Sequence, residues 1–219
     1  HGNNSIVADK IALHLSDYAV TESGFGADCG AEKFFDIKCR VSGLIPRAAV
    51  MVCSIRALKA HSGKFKVVAG SPLDPGLKKE DLDAVRQGFG NLQKQIENIR
   101  LFGVPCVVAI NRFQTDTPRE IRYVQNAVRG AGAMDCCVSD LWRKGSAGGL
   151  ALAKAVVKAA EAKSRLTFLY PLAAPIKSKI ERIATQMYGA KDVAYAPLPE
   201  EKIKMYTRQG YDKLCVCMA

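Results

Sequence analysis

The sequence has no apolar run long enough to cross a membrane. Its longest uninterrupted apolar stretch lies at about Val104–Ile110, whereas a membrane helix needs roughly 18 such residues. No positively charged segment followed by an apolar one opens the chain, so a secretory leader is not expected. The 219 residues are 48% hydrophobic and 24% charged, a composition that predicts a folded globular protein and excludes a disordered or fibrous one.

Cysteine pairs at metal-binding or redox spacing are absent as well. The eight cysteines include no Cys-x-x-Cys motif, and the three histidines do not stand at the spacing of zinc ligands. No metal site is therefore predicted. Most of the cysteines lie in apolar runs, where a reduced thiol packs as a small hydrophobic group. This usage favours a reducing, cytoplasmic compartment.

Acidic residues are scarce relative to basic ones. The chain has 21 Asp and Glu against 32 Lys and Arg, which gives a formal net charge of +11. A charge of this sign favours anionic partners, such as nucleotide phosphates, polycarboxylates, nucleic acid or a lipid surface. Charge alone does not select one of these partners.

What the sequence does contain is an alternation of short β-branched runs with longer stretches of helical period. This alternation predicts an α/β fold with an open, largely parallel sheet flanked by helices. The predicted strands cover residues 18–21, 48–55, 104–110, 133–138, 168–170, 193–195 and 214–217. The predicted helices cover residues 6–15, 31–35, 79–101, 117–130, 150–160, 176–188 and 200–208. The helix after Thr117 opens with a capping box, Thr117 to Glu120.

The pattern restarts near residue 166, which suggests two parts. We expect residues 1–165 to form a central α/β part with ligand-binding loops, and residues 166–219 to begin a second, small α/β unit that is truncated. Ser5 is the expected N-cap of the first helix, so the chain opens directly into structure from His1 onward. It also ends on a predicted strand, and we expect it to be part of something larger.

Two loops follow neighbouring strands and carry large aromatic side chains. Phe113 lies in the loop after the strand at residues 104–110, and Trp142, the single tryptophan, lies after the strand at residues 133–138. Open α/β sheets bind ligands at the carboxyl ends of their strands. The two rings can sandwich a flat heterocycle, worth roughly 1–3 kcal/mol per ring, or they can simply cover the edge of the sheet.

A glycine-rich loop at Gly24, Gly26 and Gly30 precedes a predicted helix. Such a loop can bring backbone N–H groups close to an anion. It is not a Walker A motif, because no Gly-Lys-Ser or Gly-Lys-Thr follows, and no such motif occurs elsewhere in the chain. The alternative is that these glycines only permit a tight turn and close helix packing.

Several cations follow a predicted buried strand. Arg56, Lys59 and His61, together with Lys33 and Arg40, can form a cationic cluster for an acidic substrate or can be a solvated face. Asn111 ends another predicted strand, where its side chain can read a purine edge or bond its own backbone.

Two stretches resemble signature sequences of the formate–tetrahydrofolate ligase family: VTESGFGADCGAEKFFDIKCR at residues 20–40 and VCSIRALKAHSG at residues 52–63. The resemblance continues in the same order at residues 95–99, 102–111, 115–117, 183–185, 188–190 and 206–219. The chain departs from the family pattern at Ser62–Gly63, where Gly-Gly is usual, and at Lys213–Cys215, where Asn-Leu-Pro is usual. It resembles only the middle of the family, less than half of its length.

The resemblance implies an architecture like that of P-loop NTPases, with the phosphate loop in an amino-terminal part that this chain lacks. Family members join formate to the N10 amine of tetrahydrofolate, with ATP and Mg²⁺ as a substrate complex, through formyl phosphate and without a prosthetic group. The family pattern implies that Phe113 and Trp142 stack on the pterin-like ring. It places the loop of Gly24, Phe25 and Gly26 near the same cleft, and Arg56 and Lys59 belong to the family signature without an assigned role. With Asn111 at its strand end, these six residues are the predicted nucleotide or formyl phosphate cleft.

The catalytic residues remain unassigned, and the expected partners are ATP, formate, tetrahydrofolate and the rest of the ligase chain. The full-length family is expected to form homo-oligomers, and neither a membrane nor nucleic acid is an expected partner. Without the phosphate loop we expect this chain to be inactive by itself. The alternative is a non-catalytic basic module that binds folate or nucleic acid, in which case oligonucleotide affinity should fall steeply with salt.

Overall fold

The computed structural model describes residues 3–218. The predicted opening at His1 and the last residue, Ala219, lie outside the described residues. The chain forms two compact units. The sheet unit comprises residues 46–165, and the helical unit combines residues up to 45 with those from 166 onward. Within the described residues, no helix has both the length and the apolar character needed to cross a bilayer.

Helices outnumber strands along the described part of the chain. The helices are α1 (Ile6–Leu15), α2 (Arg40–Ser42), α3 (Ile55–Ala60), α4 (Leu82–Leu101), α5 (Pro118–Gly130), α6 (Leu141–Lys144), α7 (Leu150–Glu161), α8 (Ile176–Arg182) and α9 (Pro197–Arg208). The strands are β1 (Ala49–Cys53), β2 (Cys106–Asn111) and β3 (Asp135–Ser139). π-helical turns lie at Ala27–Ala31, Phe34–Cys39 and Ile183–Met187, and 3₁₀ turns at Pro75–Lys78, Gly145–Gly149 and Tyr211–Lys213.

The sheet unit contains a three-stranded parallel sheet in the order β1–β2–β3. Cys53 of β1 pairs with Ile110 of β2, and Asn111 at the end of β2 pairs with Ser139 at the end of β3. Every residue of β2 except Asn111 is buried, as expected for a central parallel strand covered by helices. The open, parallel α/β sheet predicted from the sequence is confirmed.

Helices cover both faces of this sheet. Helices α3, α4 and α5 pack on one face, and their shared core consists of Ile55, Leu58, Val85, Phe89, Leu92, Ile96, Val108, Ile110, Ile121, Val124, Val128, Ala133 and Cys136. Successive side chains of a strand point to opposite faces. Cys136 belongs to this core, whereas the neighbouring Cys137 thiol donates to the carbonyl oxygen of Ala151 in α7 at 3.6 Å. Helix α7 therefore covers the other face.

Side-chain caps fix where two of these helices begin. Thr117 Oγ1 accepts from the Glu120 N–H at 3.3 Å, and the Glu120 carboxylate accepts from the Thr117 N–H at 3.1 Å. The predicted capping box at the start of α5 is therefore confirmed. Asp81 caps α4 by accepting from the Ala84 N–H at 2.8 Å, so α4 begins close to its predicted start.

Most of the cysteines act as packing groups, as the sequence predicts. Cys29, Cys39, Cys106, Cys136 and Cys137 are buried. Burial raises the pKa of the Cys106 thiol to about 12. A thiol with such a pKa stays protonated at neutral pH and is a poor nucleophile.

The helical unit differs from its prediction. The helices at α1, α8 and α9 form as expected, and Ser5 caps α1 by accepting from the N–H groups of Val7 and Ala8. The predicted strands at residues 18–21, 168–170, 193–195 and 214–217 do not form. The expectation of a small α/β unit after residue 165 is therefore wrong for the described residues 166–218, which are helical and irregular.

Contacts over long sequence distances explain this result. Asp36 Oδ1 accepts from the Leu169 N–H at 3.1 Å, and Arg40 donates to the Tyr170 carbonyl oxygen. The Tyr170 hydroxyl in turn accepts from the Val216 N–H at 3.2 Å. The backbone of these apolar segments is bonded to side chains, so it needs no strand partner. The same contacts join residues before 45 to residues after 165, whereas the expected division placed residues 1–165 together.

A fully buried carboxyl group lies in this unit. Glu32 has no exposed surface, and its Oε2 lies 3.0 Å from Lys33 Nζ. Burial raises the pKa of Glu32 to about 7, against the lowering effect of Lys33 and with a further raising effect of Asp36. The folded state therefore keeps a proton at pH values where the unfolded chain has lost it.

We expect Glu32→Gln to stabilise the protein above pH 7. In the parent chain, stability is fully present below the unfolded pKa of about 4.5 and is lost as the pH rises toward 7. Glutamine mimics the protonated carboxyl group, so the variant should gain up to about 3 kcal/mol at pH 8, at roughly 1.36 kcal/mol per pKa unit. Urea denaturation between pH 4.5 and 8 measures this gain. The exposed Glu22→Gln control should show no gain, and a loss of stability in Glu32→Gln at pH 8 would contradict the expectation.

Candidate functional site

The loops after β2 and β3 start side by side at one edge of the sheet. Asn111 and Ser139 are paired, and the Arg112 N–H donates to the Ser139 carbonyl oxygen at 3.1 Å. This edge is formed by the carboxyl ends of parallel strands, where open α/β sheets bind ligands. The expectation that the two loops lie on the same side is confirmed.

A buried aspartate fixes the backbone of the Phe113 loop. Asp116 is 4% exposed, and its Oδ2 accepts from the Phe113 N–H at 2.8 Å. The Asp116 N–H donates back to the Phe113 carbonyl oxygen at 3.1 Å. Burial raises the pKa of Asp116, and the Phe113 N–H and the charge of Arg56 oppose that rise. Two reciprocal hydrogen bonds between Phe113 and Asp116 thus close the turn that carries the Phe113 ring.

Arg56 covers one face of the Phe113 ring. Its guanidinium carbon lies 4.0 Å from the ring centroid, a cation–π contact. Arg56 Nη2 also donates to Thr115 Oγ1 at 3.1 Å. Phe113 is half-buried, and a flat ligand that stacks on it must use the face opposite Arg56.

Trp142 is anchored to the same loop. Its indole Nε1 donates to the Arg112 carbonyl oxygen at 3.1 Å, one residue before Phe113, and its side chain is exposed. Trp142 lies in α6, just after Asp140, whose carboxylate accepts from Arg143 Nη2 at 2.7 Å and Nε at 3.1 Å. These hydrogen bonds from Arg143 lower the pKa of Asp140. The structure therefore brings Trp142 to the backbone next to Phe113.

The other predicted residues of the sheet unit have different positions. Asn111 is exposed at the end of β2. Lys59 is only 1% exposed, and its Nζ lies 2.6 Å from Glu120 Oε1 and donates to the Lys79 carbonyl oxygen at 2.6 Å. A buried ammonium with these partners does not face a cleft. We therefore assign Lys59 a structural role rather than the predicted ligand contact.

Gly24, Phe25 and Gly26 belong to the helical unit. A Cβ atom at Gly30 would lie 1.7 Å from the Gly24 carbonyl oxygen, so close packing explains that glycine, as the alternative interpretation proposed. Phe25 has a φ of 66° and is 76% exposed. A left-handed φ in a bulky residue stores strain and is typical of binding and switch regions.

A cavity that no sequence pattern indicates lies beside α6. This cavity of about 370 Å³ is lined by Arg112, Arg122, Lys144, Asp140, Pro118 and Ile121, among others. Its cations come from the loop after β2, from α5 and from α6. Only the docking of α5 beside the end of β3 brings them together, and no sequence spacing indicates that docking.

Comparisons with known proteins identify the family of this chain. The family described as formate–tetrahydrofolate ligase matches residues 1–219. A formate–tetrahydrofolate ligase from Roseiflexus castenholzii is 50% identical over 219 residues, and one from Saccharopolyspora erythraea is 51% identical over 219 residues. Each of these alignments covers all of this chain and 39% of the relative. Human C-1-tetrahydrofolate synthase, cytoplasmic, is 49% identical over 222 residues, which cover all of this chain and 24% of the human protein.

The chain thus spans 39% of the length of the two bacterial relatives. The family match runs from residue 1 to residue 219, so it spans both units and includes Phe113 and Trp142. The chain therefore belongs to the formate–tetrahydrofolate ligase family.

Proposed function

We propose that this chain is part of an ATP-dependent ligase that formylates tetrahydrofolate at N10, and that its sheet unit holds the folate ring. The observation that carries this proposal is the hydrogen bond from Trp142 to the Arg112 carbonyl oxygen. It anchors an exposed indole to the backbone one residue before the half-buried Phe113, at the carboxyl ends of parallel strands, where open α/β sheets bind ligands. Two aromatic side chains at such an edge suit a flat pteridine.

The proposed reaction has two steps. A formate oxygen attacks the γ-phosphorus of ATP, bound with Mg²⁺, and gives formyl phosphate and ADP. The N10 amine of tetrahydrofolate then attacks the formyl carbon, and phosphate leaves with the bonding electrons while the amine loses a proton. The protein contributes mainly positioning and charge neutralisation. This chain would hold the pteridine so that the N10 amine attached to it can reach the formyl carbon, and its net charge of +11 suits anionic substrates.

This sequence lacks a phosphate-binding loop that ATP-dependent ligase activity would need. It has no GxxxxGK[ST] phosphate loop, so we propose that it is inactive without the rest of a ligase chain. Incubation with ATP, Mg²⁺, formate and tetrahydrofolate should yield no 10-formyltetrahydrofolate, and substantial turnover would refute that inactivity. We further propose a cytoplasmic location, in line with the name of the human relative, and a homo-oligomeric full-length ligase.

We expect Phe113→Ala to weaken folate binding by roughly 1–3 kcal/mol, or about 5- to 150-fold in Kd, because one stacking ring is lost. Trp142 is the single tryptophan, so quenching of its fluorescence reports a ligand on its ring directly. A titration of both proteins with tetrahydrofolate under reducing, anaerobic conditions measures the difference.

Phe65→Ala is the matched control, because Phe65 is also half-buried but lies in the loop beyond α3. It should bind folate like the parent chain. Unchanged fluorescence at saturating folate would overturn the proposed stacking. In that event, steep loss of oligonucleotide affinity with rising salt would instead support the non-catalytic binding module.

A further inference from the structure

We infer that Arg56 is a positioning residue for folate, which acts through Phe113 and does not itself contact the pteridine. This inference rests on the proposed function, since it concerns the same ring-binding site. Arg56 enters from the first turn of α3, directly after β1, whereas Phe113 follows β2. The contact between them therefore joins the loops of two neighbouring strands.

The geometry of Arg56 suits this role. Its planar guanidinium lies 4.0 Å from the Phe113 ring centroid, and the same group donates to Thr115 Oγ1 at 3.1 Å. One side chain thus touches the ring and also holds the loop two residues further along. A guanidinium can stack flat on a ring and donate in its own plane at the same time, which an ammonium group cannot do.

The surroundings of Arg56 limit its movement. Its Nε atom is buried and has no hydrogen-bond partner among the described residues, so Arg56 is held with one of its donors unsatisfied. A buried donor without a partner destabilises the fold. The contacts of the Arg56 guanidinium with Phe113 and Thr115 offset this cost. On the other side of the turn, Asp116 binds the Phe113 N–H at 2.8 Å. Arg56 and Asp116 together fix both the ring and its backbone.

Arg56 leaves one face of the Phe113 ring available to a ligand. With Arg56 on one side, Phe113 keeps a fixed tilt and offers only the opposite face to a ligand. A preformed ring loses less conformational entropy when a ligand stacks on it. Loss of Arg56 should therefore weaken folate binding only while the Phe113 ring is present.

A double-mutant cycle tests this inference. Arg56→Met should raise the Kd for tetrahydrofolate by roughly fivefold in the parent chain, in the range of a cation–π contact. In a Phe113→Ala background it should change the Kd by less than about twofold, because the ring through which Arg56 acts is gone. Equal effects in the two backgrounds would show that Arg56 acts independently of Phe113, and would overturn the inference.

Two further variants separate positioning from folding. Arg56→Lys keeps the charge but not the planar group and should not restore affinity, so full restoration would contradict the stacking geometry. Thr115→Val removes the acceptor of the Arg56 hydrogen bond and leaves the core intact. It should raise the Kd by about twofold to threefold with an unchanged urea midpoint, and an unchanged Kd would count against the inference.

The outcomes also distinguish this inference from the proposed function. If Phe113→Ala itself leaves folate binding unchanged, the proposed stacking fails and Arg56 has nothing to position. If Phe113→Ala weakens binding but Arg56→Met does not, the stacking stands and the role of Arg56 is refuted.

Discussion

Replacing Lys59 with methionine is expected to lower the free energy of unfolding by about 3–5 kcal/mol. The Lys59 ammonium lies 2.6 Å from Glu120 Oε1, and the two side chains are 1% and 0% exposed. Removal of one partner leaves the other as a buried charge without its counterion. The resulting loss of stability is far larger than the net contribution of the intact pair to stability, because the desolvation cost of the remaining charge is no longer offset.

The pair stabilises three segments at once. Glu120 accepts from the Asp81 N–H at 2.9 Å and from the Thr117 N–H at 3.1 Å, so it links the starts of α4 and α5. Lys59 adds α3 and the Lys79 carbonyl oxygen. The Thr117 turn lies directly after the Phe113 loop, so the ion pair also supports the base of the candidate site.

The effect should depend on pH in a defined direction. Burial alone would raise the pKa of Glu120, but hydrogen bonds from Lys59 and from the Asp81 and Thr117 N–H groups bring it below its ordinary value. A carboxylate with a lowered folded pKa contributes stability that is present above its unfolded pKa of about 4.5 and is lost as the pH falls through the folded pKa. In Lys59→Met the lowering by Lys59 disappears and the folded pKa of Glu120 rises, so protonation at low pH relieves the stranded carboxylate and the stability difference between variant and parent should be smaller at pH 4 than at pH 7.

Urea denaturation at pH 7 and pH 4 measures both effects. Lys64→Met is the matched control, because Lys64 pairs with Asp81 at 2.9 Å but is 43% exposed. An exposed pair of this kind contributes about 1 kcal/mol or less. Adding Glu120→Gln to Lys59→Met should recover part of the loss by removing the stranded charge. Equal losses for the two lysine variants would contradict the buried-pair explanation.

The sequence predicts the sheet unit well because its signals are local. A capping box at Thr117–Glu120, an apolar stripe along α4 and an apolar run at β2 each lie within one continuous segment. The adjacency of the Phe113 and Trp142 loops then follows from a general rule for parallel sheets. These features required no knowledge of which distant residues meet.

The failures concern contacts between distant segments. A lysine is usually predicted to be exposed. Nothing in the sequence near Lys59 indicates that it is buried and forms an ion pair with Glu120, 61 positions later. Short apolar segments such as residues 168–170 resemble strands until Asp36 bonds the Leu169 N–H from 133 residues away. The Arg56 contact with Phe113 belongs to the same class. Local sequence patterns determine the helices and strands. Contacts between residues far apart in the sequence determine which charged groups are buried and structural.

Glycine provides the sharpest example of a position whose role only the fold reveals. Gly88 and Gly90 both lie inside α4, where glycine is unfavourable by roughly 1 kcal/mol relative to alanine. By that rule, alanine should stabilise the protein at both positions. A Cβ atom at Gly88, however, would lie 1.8 Å from the Leu58 carbonyl oxygen of α3, whereas a Cβ atom at Gly90 meets nothing within 4 Å.

We therefore expect opposite signs for the two substitutions. Gly90→Ala should raise the free energy of unfolding by up to about 1 kcal/mol. Gly88→Ala should lower it by about 3 kcal/mol, the upper part of the usual range for overpacking, because the obstacle is backbone and α3 and α4 must move apart. Chemical denaturation of both variants measures the difference. Since α3 also carries Arg56, Gly88→Ala should weaken folate binding as well, whereas Gly90→Ala should leave it unchanged; stabilisation at both positions would show that α3 and α4 are not in close contact.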